Sequence, residues 1–184
     1  MVYLNKVKVN YKESMAYYEM AYFLKEYINE NTVIVCIGTD KCIGDSLGPL
    51  VGTLLKDTLI PIPIYGTLSS PIHALNIDKN LIEINKNHPN ALIIGIDACL
   101  GDNNSIGEIH VRDYAIHPGK GVGKTLPDVG DASIIGIVDS SSNAEIFSNR
   151  SIRLSLIMEM SKSIVKGIVH SYYLSDIKKF SLSN

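Results

Sequence analysis

The chain of 184 residues contains no tryptophan, three phenylalanines and three cysteines, and its charge is nearly balanced. Seventeen Lys and Arg against nineteen Asp and Glu leave a net charge of −2, so no general basic field exists to hold a phosphate backbone by displacing counterions. Nucleic acid is not an expected partner. Cys36, Cys42 and Cys99 cannot all pair within one chain, and two of them sit in or beside apolar, strand-like runs, where a reduced thiol behaves as a small hydrophobe. That usage fits a reducing compartment and predicts a cytoplasmic protein. No basic-then-apolar leader opens the chain, and no apolar run approaches the ~20 residues a membrane-spanning helix needs. No membrane partner is expected. Repeats, low-complexity tracts and linkers are lacking too, so residues 1–184 read as a single domain.

With 46% hydrophobic and 20% charged residues, the chain has enough apolar matter for a compact core. Val33–Ile37, Ala91–Ile96 and Ile134–Val138 are apolar on both faces and predict buried parallel strands. Ile60–Tyr65 carries two prolines, which place it at a sheet edge or a strand start. Helical spacing runs over Glu13–Asn29, Leu47–Lys56, Ile77–Asn87 and, interrupted near Ser148-Asn149, over Ala144–Tyr173. Met1–Tyr11 and Ser181–Asn184 are expected to be loosely held ends. Alternating strands and helices predict an α/β fold, a three-layer α/β/α sandwich around a mostly parallel sheet. Its ligand site belongs at the carboxyl ends of the strands, where strand order reverses.

The densest signal falls at such a position. Gly38-Thr39-Asp40-Lys41-Cys42-Ile43-Gly44-Asp45-Ser46-Leu47-Gly48-Pro49 leaves the first apolar run and enters a helix. Its glycines do not fit the dinucleotide fingerprint, so no nucleotide cofactor is implied. Asp45 either caps the helix that follows or is a working carboxylate. Asp97, directly after the second apolar run, either accepts N–H bonds from the turn at Cys99-Leu100-Gly101 or joins Asp45 at one rim. If the two sit close, repulsion and burial raise one pKa, so that one carboxyl acts as acid while the other activates water; the pair could instead ligate a divalent ion. Asp40, His117, Lys124 and Asp128 are candidate supporting groups. Lys124 belongs to a Gly-rich stretch, Pro118–Thr125, that lacks the first glycine of a P-loop and reads as a flap or as a solvated loop.

Gly44-Asp45-Ser46-Leu47 also spells the nucleophile signature of GDSL-type esterases, echoed faintly by Gly101-Asp102-Asn103. In those enzymes the serine follows its strand almost at once, whereas here six residues separate Gly38 from Asp45, and no Asp-x-x-His precedes the last histidine, His170.

Several blocks resemble the YyaC family of sporulation proteins from spore-forming bacteria. They are Gly38–Lys41, Gly44–Gly52, Tyr65–Leu68 with Pro71–Ala74, and Ile96–Gly101. Pro118-Gly119, Gly121-Val122, Lys124, Leu126-Pro127, Val129–Asp131 and Arg153–Leu156 continue the likeness over about residues 31–170. That family is similar in turn to the germination protease, which degrades small acid-soluble spore proteins, and more remotely to the hydrogenase maturation proteases. The resemblance implies that Asp45 and Asp97 correspond to acidic residues that are catalytic in the former and contact nickel in the latter. The third nickel ligand, a histidine, has no counterpart in Leu126–Gly130, leaving Asp128 or His117 as substitutes.

The expectation is therefore a peptidase-like hydrolase of the sporulating cell or forespore, using Asp45 and Asp97 on protein or peptide substrates such as small acid-soluble spore proteins. No cofactor is required, with a divalent metal at the acidic pair and self-association both left open. The competing expectation is a catalytically silent binding module on the same fold; the esterase using Ser46 is a minor third.

Overall fold

The computed structural model describes residues 6–118, 126–141 and 152–182, without the side chains of 176–182. The elements in chain order are β1 (Lys6–Asn10), α1 (Ala16–Leu24), β2 (Thr32–Cys36), α2 (Leu47–Lys56), β3 (Ile64–Tyr65), α3 (Ile77–Asn87), β4 (Leu92–Gly101), β5 (Glu108–Arg112), β6 (Ala132–Ser140) and α4 (Leu154–Leu182). Single 3₁₀ turns occupy Ile43–Asp45 and Asn103–Ser105. The fold is α/β, with a six-stranded, mostly parallel sheet in the order β1-β5-β6-β4-β2-β3.

The central strands β6, β4 and β2 are the three apolar runs of the sequence, paired in parallel. All five residues of β2 are buried, as a strand covered on both faces requires. Alternation divides their side chains between two cores. Ile34, Ile94, Ile96 and Ile134 pack with Met20, Leu47, Ile157 and Ile164 from α1, α2 and α4. Val33, Val35, Ile135 and Ile137 pack with Ile77 and Ile84 of α3 and with Ile116 and Val129. Fully burying one such aliphatic side chain stabilises the fold by ~1.5–3 kcal/mol, so the two clusters carry most of the driving force. The proline-bearing segment supplies only the two-residue β3, at the sheet edge.

Several expectations need correction. Residues 6–10 are not a loose end: β1 pairs antiparallel with β5 along its whole length. β5 itself was not foreseen. Both alternate apolar with charged or polar residues over a short span, the pattern of antiparallel strands with one wet face, and the chain's only strong signals are the two-sided apolar runs. The helix expected over 13–29 is confined to Ala16–Leu24. Beyond it the Thr32 hydroxyl donates to the Tyr27 carbonyl at 3.0 Å and accepts the Asn29 N–H at 2.7 Å, bending this segment into β2. At the other end, α4 starts at Leu154 and continues through Leu182, past the expected stop; residues 144–151 of the expected helical stretch and 183–184 lie outside the described residues.

Candidate active site

From β2 the chain runs to the edge strand β3, then returns across β2 to β4, so strand order reverses between β2 and β4. Asp45 follows β2, and Asp97 lies in β4. The two acidic residues therefore come from the two sides of the switch point.

The loop that carries Asp45 is fixed by its backbone. Ile37 donates its N–H to the Ile96 carbonyl at 2.7 Å, and Gly38 donates to Ile72 at 2.8 Å. Gly38 has φ +134°, and a Cβ built there would run into the Asp45 carbonyl oxygen. Only glycine allows the 3₁₀ turn to fold back this closely. The Thr39 N–H then donates to that same carbonyl at 3.0 Å, while the Asp45 N–H donates to the Cys42 carbonyl at 3.0 Å. A side chain at Gly48 would likewise strike the Ile37 carbonyl, so the start of α2 sits directly on the end of β2.

Asp45 does not cap α2. The N-cap position is Ser46, no side chain caps that helix, and the Ser46 hydroxyl donates to the Ile43 carbonyl at 2.7 Å. Ser46 is itself buried. Asp97 does not follow its strand but stands inside it, because β6 keeps pairing with β4 as far as Ser140, through a bulge at Cys99/Leu100. No turn at Cys99–Gly101 is available to its carboxylate, which accepts the Ala98 N–H at 2.8 Å instead.

Both carboxyls are recessed without being sealed off. Burial pushes the Asp45 pKa up to about 6, opposed by the Thr39 N–H. Asp97 is raised well above the ordinary carboxylate range, first by burial and then by the charge of Asp45; the Ala98 N–H and the Arg112 guanidinium act against the rise. Both carboxyls are thus held above their ordinary range, Asp45 by burial and Asp97 by burial and by the charge of Asp45, the unequal environments that an acid and a base need.

The other sequence candidates scatter. Asp40 is exposed on the loop between β2 and the 3₁₀ turn. His117 Nδ1 and Asp128 Oδ1 lie 2.5 Å apart, flanking the antiparallel bridge between Ile116 and Val129. They form an exposed pair with each other, and the charges acting on Asp97 are those of Asp45 and Arg112. Lys124 lies outside the described residues.

Arg112 was missed by the sequence reading. Its signal was the alternation Glu108, His110, Arg112 against Ile109 and Val111, which puts three ionisable side chains on one face of β5. On that face His110 Nε2 meets Glu108 Oε2 at 2.7 Å.

Among the described residues no group of three or more His, Cys, Asp or Glu side chains could hold an ion. Asp45 and Asp97 alone would offer a divalent ion two carboxylates, with water left to complete its shell. Surface hollows of about 380 Å³ beside β3 and about 280 Å³ between Glu30 and Ala91 lie at the sheet edge and at the amino ends of β2 and β4, away from the acidic pair. Among the described residues, no helix is long and apolar enough to cross a membrane.

Comparison with known proteins agrees with the blocks read in the sequence. YyaC of Bacillus subtilis (strain 168), an uncharacterized protein by name, is 44% identical over 146 residues, which cover 79% of this chain and 71% of that protein. Residues 8–167 match the family described as protein of unknown function DUF1256. That match takes in the end of β1, the loop bearing Asp45, β4 with Asp97 and β5 with Arg112, and the chain belongs to this family.

Proposed function

We propose that the protein is a hydrolase of peptide bonds in which Asp45 and Asp97 act on one water molecule. What supports this reading is the pair at the switch point: a carboxylate with a pKa near 6 and a second carboxyl whose pKa is raised by burial and by the charge of the first. The ionised Asp45 takes a proton from water as the water oxygen adds to the peptide carbonyl carbon. Asp97 gives its proton to the departing amine nitrogen as the C–N bond breaks. A proton passing from Asp45 back to Asp97 resets the pair. Ile43 and Leu75, exposed at 44% and 82% on the loops beside the site, offer apolar contacts to a peptide.

The resemblance to the germination protease extends the proposal to a three-layer α/β/α sandwich of that kind, to the cytoplasm of the sporulating cell or forespore, and to small acid-soluble spore proteins as substrates. The buried, bonded hydroxyl of Ser46 speaks against the esterase alternative. The test is incubation of wild type and Asp45→Asn with those spore proteins, followed by intact-mass analysis. Discrete fragments from the wild type alone support hydrolysis through Asp45. If neither protein cleaves and both bind, the chain is a binding module and the hydrolase reading is wrong.

A further inference from the structure

Arg112 is built into the sheet face that carries Asp97. Strand pairing sets Arg112 beside Ser133 of β6, and Ser133 beside Gly95 of β4, two residues before Asp97 on the same face. Two contacts hold its side chain, and a further bond fixes the partner in the first. The Arg112 Nε–H donates to the Ser133 hydroxyl at 3.1 Å, and that hydroxyl donates to the Tyr114 carbonyl at 2.7 Å. The guanidinium lies over the Tyr114 ring, 4.7 Å from its centroid. Ser133 is fully buried, so the clamp is anchored in the core.

The clamp uses only Nε. A guanidinium carries five N–H donors in a planar fork suited to a carboxylate, and among the described residues no carboxylate lies within ion-pair distance of this one. Arg112 is partly withdrawn from water, and its remaining N–H donors are left for a ligand to take up. Its field reaches Asp97 and Cys99, and so crosses the strand between β5 and β4.

We infer that Arg112 binds a carboxylate of the ligand, holding it between β5 and the acidic pair, so that the site selects peptides bearing such a group beside the bond to be cut. The binding half of this inference stands alone; the cleavage half rests on the proposed hydrolase function. The carboxylate could belong to a chain end or to an acidic side chain.

Three short peptides of common sequence separate these cases: one with a free carboxyl end and no acidic residue, one amidated with a central Glu, and one amidated with Gln there. Calorimetry on the full-length wild type is expected to show at least one carboxylate peptide binding tenfold or more tighter than the neutral one, the order expected of a charged hydrogen bond (~1.5–3 kcal/mol). The stronger arm identifies the source. Arg112→Gln is expected to bring all three to the neutral affinity. If that variant does not fold, Arg112→Lys decides: it keeps the charge but loses the fork and the Nε clamp, and the preference must fall. Equal binding of the three peptides, no binding at all, or a preference that survives either folded variant overturns the inference. Intact mass on the same samples reads cleavage separately, so selective binding without cleavage would uphold Arg112 and refute the hydrolase reading.

Discussion

The charge of Asp45 helps to keep the proton on Asp97, although the first residue belongs to a 3₁₀ turn after β2 and the second to the interior of β4. Their coupling comes from the strand order, which sends the chain away from β2 to β3 and back across it to β4. The following predictions test what depends on it.

Hydrolysis should show a bell-shaped pH profile. The base must be ionised, so activity rises through about pH 6, the pKa of Asp45. Activity falls again at higher pH, as Asp97 loses its proton. Initial rates between pH 4 and 10 on one peptide check this; a rate that falls as pH rises through 6 contradicts the assignment.

Stability should carry the opposite trend. A carboxyl raised from an ordinary 3.8 to about 6 binds more protons folded than unfolded in that window, so its contribution is present in acid and fades as pH rises through 6. Asp97 extends the same loss to higher pH. Thermal melts at pH 5 and pH 8 should show Asp97→Asn gaining more stability relative to wild type at pH 8 than at pH 5, where only the part of the loss between pH 3.8 and pH 5 has been incurred. Equal differences at both pH values would mean that Asp97 is not raised.

Gly38→Ala should destabilise the protein by about 1–3 kcal/mol, the cost of a side chain at a strained backbone position. Its Cβ would also collide with the Asp45 carbonyl, displacing the loop. Urea denaturation measures the first effect. Loss of hydrolysis in samples still fully folded measures the second, and an unchanged midpoint would contradict the geometry.

Ser46→Ala removes one bond to the Ile43 carbonyl and should cost ~0.5–1.5 kcal/mol of stability while leaving hydrolysis intact. Loss of hydrolysis without loss of fold would restore Ser46 as a nucleophile.

The sequence made the buried half of the fold legible. β2, β4 and β6 are apolar on both faces and stand out without any partner, and α2 and α3 lie within the ranges their periodicity sets. β1 and β5 did not stand out because Lys6, Lys8, Glu108 and Arg112 make short wet-faced strands look like surface loop. Asp45 and Asp97 stood out because the first lies in the Gly-rich loop after one apolar run and the second directly after another. Arg112 could not, since it reaches Asp97 only through the lateral pairing of β5, β6 and β4, a relation with no local trace in the chain. His117 and Asp128, separate supporting candidates in the sequence, are joined to each other beside the bridge between Ile116 and Val129.

The most direct measurement is a carbon-detected NMR titration of the aspartate carboxyls in the wild type and in Asp45→Asn. The account predicts that Asp45 titrates near pH 6, that Asp97 titrates above it, and that Asp97 moves down when Asp45 loses its charge. An Asp97 that titrates in the ordinary carboxylate range, or that ignores the substitution at Asp45, would contradict the acidic pair.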